Sequence, residues 1–212
     1  AEEQTWEFPD IPESPIPSLL RNFSAPVIVE YTAPDQDLII LAQHDPDPFA
    51  RWEAGQELAR RQLLALVKAA AEGVDAAIAP HFTDTWRALL LDTSITDAYK
   101  TRVLTLPSEK ELLEKLQPMD PLHAVAAVRH LRRHLGAALA SLWRDTYDAA
   151  RATDAAYSPD PVSSGQRALK NLALSYLMAA QADERTALAV DQYYNAGNMT
   201  DRMGGLTSLV HY

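Results

Sequence analysis

The run His130-Leu131-Arg132-Arg133-His134 is the most chemically suggestive in the chain. Histidines at i and i+4 share one face of a helix, the spacing with which a helix offers two imidazoles to zinc. A metalloprotease helix, however, places Glu directly after the first His as general base, and here that position is Leu131. Two arginines between the ligands would also repel a dication. Asp120 and His123 lie upstream without the spacing of a third ligand. The pair is therefore read as solvated or core-edge histidines, and no metal ligand is assigned to this chain.

No catalytic constellation replaces it. None of the six histidines (His44, His81, His123, His130, His134 and His211) is followed by Glu. Gly73, Gly136 and Gly165 are isolated, so no glycine-rich phosphate loop exists, and no serine lies in a nucleophile elbow. Asp45 and Asp47, set between prolines, could pair for acid–base work, but turn formation and capping of the next helix is the preferred reading. Arg129, Arg132, Arg133 and Arg144 form a local cationic excess. They are read as a solvated face paired with nearby acids, the alternative being a groove for an acidic partner. Trp52, Trp86, Trp143 and Tyr147 are expected to pack between helices. No catalytic, cofactor-binding or metal residue is assigned.

Two contrasting regions position these residues. Six of 14 prolines fall in the first 34 residues, which excludes helix there. Thr5–Phe8 and Val27–Tyr31 read as strands, the second on β-branched and aromatic content. Two strands are too few for a free-standing β domain, so this stretch looks like the remnant of a sheet. From Asp35, a plausible N-cap, the periodicity is helical. Helices are expected at about Phe49–Ala71, ended by Gly73, then at His81–Leu91, Ile95–Leu106 and Ser108–Gln117. Ser108 and Glu111 have capping-box spacing. One long run follows from Leu122 to about Ala155, with Gly136 as the candidate break, then Ser164–Ala180, Asp183–Tyr194 and a last helix from Met199. Gly204-Gly205 should loosen that last helix at about 1 kcal/mol per glycine. The helical spacing of Leu206, Leu209 and Val210 runs on to Tyr212, as if the chain were cut inside a helical array. Unequal helix lengths give at most a degenerate solenoid of HEAT/ARM type: a mostly α, irregular superhelix preceded by a short β segment.

Composition narrows the classes further. Lys+Arg 19 against Asp+Glu 29 gives a net charge of −10, which argues against nucleic acid or an anionic membrane as partner. The absence of cysteine removes disulfide scaffolds, iron–sulfur clusters and Cys nucleophiles, and suits a reducing compartment. No apolar run is long enough to span a bilayer. The first residues, Ala1, Glu2, Glu3 and Gln4, are unlike a secretory signal, and a cytoplasmic location is expected.

At Ser18-Leu19-Leu20-Arg21-Asn22-Phe23-Ser24-Ala25-Pro26-Val27 the chain closely resembles the end of the small β-sandwich domain of the bacterial aminopeptidase N (alanyl aminopeptidase) family of zinc metallopeptidases. The resemblance continues through Asp47-Pro48-Phe49-Ala50-Arg51-Trp52-Glu53-Ala54-Gly55-Gln56, which is similar to the opening of that family's C-terminal helical domain. It recurs at Leu104-Thr105-Leu106-Pro107-Ser108 and Asn198-Met199-Thr200-Asp201. The resemblance implies residues 1–34 as the last strands of the sandwich with a proline-rich linker, and 35–212 as a truncated helical cap. It implies a parent enzyme that releases N-terminal residues from peptides, with its zinc, its catalytic glutamate and its amine-gripping motif upstream. The partners would be the rest of the parent chain and, in the parent, peptides. The cap would enclose the catalytic chamber and limit access, and its acidity would suit peptide ammonium groups. This chain alone is then expected to be inactive. The competing reading is an autonomous α-helical interaction scaffold, which would have no use for two strands at its start.

Overall fold

Aspartate–proline pairs set several helix boundaries of this protein. In a computed structural model, which describes residues 4–27, 29, 31–151, 157–180 and 183–212, Asp47, Asp120 and Asp160 each cap a helix whose first residue is proline. Proline lacks the N–H that would go unpaired at N1, and the preceding carboxylate accepts the N–H groups just beyond it. The described residues form ten α-helices: α1 Asp35–His44, α2 Pro48–Ala71, α3 Pro80–Leu91, α4 Asp97–Leu104, α5 Glu109–Leu113, α6 Pro121–Ala138, α7 Ala140–Arg151, α8 Pro161–Ala179, α9 Asp183–Asn195 and α10 Met199–His211. The end of the predicted long run, toward Ala155, lies outside the described residues.

Two long helices organise the stack. α2 packs against α1, α4 and α6, while α8 packs against α4, α6, α7, α9 and α10. One continuous core joins them through Leu58, Leu63, Leu89, Leu131 and Leu135, each almost fully buried. Each such side chain contributes roughly 1.5–3 kcal/mol through burial. The all-α superhelical expectation therefore holds.

The linker from Leu104 to Ser108 runs through this core. Leu104, at the end of α4, has a carbonyl that intrahelical bonds cannot reach. Tyr176 Oη donates to it at 2.7 Å and Trp86 Nε1 at 3.4 Å, which ties α3, α4 and α8 together. Gln56 Nε2 donates to the Thr105 carbonyl at 3.0 Å. Ser108 then forms the expected capping box with Glu111.

Several expectations are corrected. Thr5–Phe8 is not a strand, and Val27, Val29 and Tyr31 are not in one either; Ile28 and Glu30 lie outside the described residues. A strand exists only through its ladder, and among the described residues no segment pairs with these. Asp35 is the first helical residue rather than the cap, which falls on Pro34. The break after α6 falls at Leu139, not Gly136. Gly136 serves packing instead, since a Cβ there would lie 2.2 Å from the Tyr176 carbonyl oxygen. The Gly204-Gly205 pair likewise lies within an intact helix. A Cβ on Gly204 would meet Asn171 Oδ1 at 2.3 Å, and one on Gly205 the Ala189 carbonyl at 2.9 Å, so the pair lets α10 lie close on α8 and α9. Gly73 ends α2 as expected, at φ +68°.

Candidate functional site

His130 and His134 sit in different surroundings on α6. His134 Nε2 lies 3.0 Å from Thr83 Oγ1, and burial, with a smaller contribution from His130, lowers its pKa and favours the neutral ring. His130 lines a groove between α2 and α6 with Arg129 and Arg133. Asp120 caps α6 and holds His123 Nδ1 at 2.6 Å, so neither joins the pair. Among the described residues no group of three or more His, Asp or Glu side chains is placed to share a metal ion.

The arginine cluster is dispersed. Arg132 donates to Tyr212 Oη at 2.8 Å, Arg144 pairs with Asp148 at 2.5 Å, and only Arg129 and Arg133 stay together. Helical rotation between neighbouring positions and the break at Leu139 account for the separation.

Asp45 and Asp47 do the structural work expected of them. Asp47 caps α2 through the N–H groups of Phe49 and Ala50 and receives the Asn22 N–H at 3.2 Å. The Ala50 N–H is the main cause holding its carboxyl below the ordinary range, against a desolvation cost. Asp45 is buried, accepts the Asp47 N–H at 2.8 Å and lies 3.9 Å from Arg21. The first two segments that resemble aminopeptidase N thus interlock: the turn at Arg21–Phe23 sits on the N-terminus of α2. Arg51 extends the joint, donating to the Ala42 carbonyl at 2.9 Å and to Asp92 at 2.6 Å.

Trp86 and Trp143 are buried as expected, Trp143 stacking on Tyr176 with ring centroids 4.4 Å apart, while Trp52 is half-buried against the core. Tyr147 is buried too, but it also lines a cavity of about 460 Å³ between α7, α8, α9 and the start of α10. Sequence reasoning missed this cavity, since its groups are spread from Tyr147 to Asp201 with no short-range spacing. Lys170 forms a 2.6 Å ion pair with Asp201, both side chains largely buried. Asn198 Nδ2 and Asn171 Nδ2 also donate to Asp201, at 2.9 and 3.3 Å, so this buried carboxylate is fully paired. Gln192 Nε2 donates to Asn171 Oδ1 and the Asp201 carbonyl. At the rim Arg151 meets Asp191 at 2.8 Å, and the Arg167 guanidinium lies 4.8 Å from the centre of the Tyr157 ring. The segment Asn198–Asp201, singled out by resemblance, is thus the polar joint that seats α10 and forms one wall of this cavity.

Stacked short helices around two long ones define a helical-repeat domain. Residues 35–212 match the family model described as a domain of unknown function (DUF3458_C) with ARM repeats, and the chain belongs to that family. Residues 1–32 match the companion domain of unknown function (DUF3458) described as an Ig-like fold. The chain is 34% identical over 209 residues to aminopeptidase N of Escherichia coli and 35% identical over 208 residues to aminopeptidase N of Caulobacter vibrioides, in each case 98% of this chain and 24% of the relative. The crystal structure of Legionella pneumophila aminopeptidase A in complex with aspartic acid matches with a TM-score of 0.81 and 28% identity, covering 96% of this chain and 24% of that one. The chain therefore spans about a quarter of the length of the relatives it matches.

Proposed function

We propose that this chain is the non-catalytic junction and first cap portion of a zinc aminopeptidase that releases N-terminal residues from peptides. The observation that carries the reading is the match to aminopeptidase N across 98% of the chain. In this proposal residues 1–34 are the end of the β-sandwich and 35–212 the opening of the helical cap. The cap closes over the catalytic chamber and admits small or unfolded peptides, a task suited to the concave surface a helical stack makes. Zinc, bound by the catalytic domain, would activate water for attack on the first peptide bond. This chain's own contribution is the rigid joint at Asn22, Asp45, Asp47 and Arg51, which fixes the angle between sandwich and cap. Exposed Trp6, Phe8, Val27 and Val29 supply apolar surface for the rest of the sandwich to cover. No described helix is long and apolar enough to cross a membrane; a cytoplasmic location is part of the proposal. The test is hydrolysis of aminoacyl chromogenic amides by the purified chain with zinc supplied. No turnover is expected, and turnover that follows the chain through purification and is lost to chelators would overturn the reading.

A further inference from the structure

We propose that the groove between α2 and α6 docks an acidic segment of a second protein, one that sets carboxylates beside apolar side chains. The proposal uses only the charges and surfaces of this groove, and it stands or falls separately from the aminopeptidase reading.

Among the described residues every arginine except Arg102, Arg129 and Arg133 is hydrogen-bonded or ion-paired. Arg129 and Arg133 stand one turn apart on α6 and line a groove of about 430 Å³. His130, exposed like them and also lining the groove, makes no hydrogen bond or ion pair among the described residues. Asp75 is the one acid of the lining, and it pairs with none of the three. The sequence leads to a face paired with nearby acids, and at these two arginines the acids are missing. In a chain with 29 acidic residues against 19 basic ones, neighbouring cations left without a carboxylate are the exception. They make a locally positive surface on a negative molecule, which is the condition for attracting an acidic partner. A guanidinium also suits a carboxylate particularly well, because its planar fork can bind both oxygens.

Charge alone does not separate a docking site from a solvated face. The groove adds apolar surface: Leu66 and Ala127 belong to its lining, and Val74 beside them is 56% exposed. On α6 the exposed positions Leu122, Ala126, Arg129 and Arg133 are spaced i, i+4, i+7 and i+11, so they share one side of the helix. Leu122 is 75% exposed. An apolar half therefore adjoins a cationic half. An occupant that covers both needs apolar side chains next to carboxylates, and an acidic polypeptide segment carries that combination. A nucleic acid or an anionic bilayer presents charge over a wide front, where it would meet Asp75 and the net charge of −10.

The experiment follows the fluorescence anisotropy of a fluorescein-labelled hexapeptide of alternating leucine and glutamate as the full chain is added at physiological ionic strength. A peptide with glutamine in place of glutamate is the control, and oligothymidylate of equal charge is the competitor. Saturable binding of the glutamate peptide, and none of the glutamine one, is the expected result. Arg129→Gln and Arg133→Gln should each weaken it about two- to fivefold, the worth of one exposed ion pair. Arg102→Gln removes an equally unpartnered arginine outside the groove and should leave binding unchanged. Neither groove arginine has a partner to lose in the free protein, so both variants should keep the parent melting temperature and remain a fair test. No saturable binding, equal binding of the glutamine peptide, an Arg102→Gln effect as large as the other two, or displacement by oligothymidylate would overturn the proposal. So would a dimer of the chain alone that Arg133→Gln dissociates, since the groove would then belong to a second copy.

Discussion

Replacing a helical glycine by alanine ordinarily stabilises a helix by about 0.5–1 kcal/mol, because alanine loses less backbone entropy on folding. Gly136→Ala should do the reverse. Gly136 lies inside α6, and a Cβ there would lie 2.2 Å from the Tyr176 carbonyl oxygen and 3.1 Å from the Ala180 Cβ. The first obstacle is backbone of α8 and cannot rotate away, so α6 and α8 must part. Tyr176 stacks on Trp143 and donates to the Leu104 carbonyl, so a shift of α8 disturbs both contacts. Overpacking of this kind costs about 1–3 kcal/mol, more than the propensity gain. Gly55 in α2 is the control: its Cβ would meet nothing within 4 Å, so Gly55→Ala should show the bare gain. For a domain of this size each kcal/mol moves the melting temperature by roughly 2–4 °C. Thermal unfolding followed by far-ultraviolet circular dichroism should rank Gly55→Ala above the parent chain and Gly136→Ala below it. A Gly136→Ala variant that melts as high as Gly55→Ala would refute the close helix contact and the reasoning built on it.

Tyr176→Phe should cost about 1–3 kcal/mol in denaturant unfolding, since the buried Leu104 carbonyl keeps only the longer bond from Trp86. Ser108→Ala removes the capping box and should lower stability by about 1 kcal/mol, with faster amide exchange at Glu111. Asp92 is held at about 2, first by the Ser94 hydroxyl and then by Arg51. A carboxyl lowered in the folded state contributes stability that is present above its ordinary range near 4 and lost as pH falls toward 2. The melting-temperature gap between the parent chain and Asp92→Asn should therefore narrow over that acid window, and a constant gap would contradict the assignment.

Much of the helical stack was legible in the residues because its signals are local. Gly73, Ser108 with Glu111, and Asp47 ahead of Pro48 each carry a stop or start within three or four positions, whereas the helix expected from Ser164 begins at Pro161 behind the Asp160 cap. Gly136 and Gly204-Gly205 misled because a glycine demanded by close packing of a distant helix looks, in sequence, like one that breaks a helix. The strand reading at Thr5–Phe8 rested on alternation, which describes a side-chain pattern but supplies no pairing partner. The cavity was invisible for a related reason. Tyr147, Lys170, Gln192 and Asp201 sit on four helices, and the packing of α7, α9 and α10 on α8 and of α10 on α9 brings them together.

The measurement closest to the central claim is made on the polypeptide that carries this segment in its native source. Antibodies raised against this chain should capture it, and the captured material can be sized and assayed on aminoacyl amides with and without a chelator. The account predicts a polypeptide about four times the length of this chain, as its 24% share of the relatives implies, with aminopeptidase activity that the chelator abolishes. A 23.4 kDa species without such activity would contradict it and leave the interaction-scaffold reading in its place.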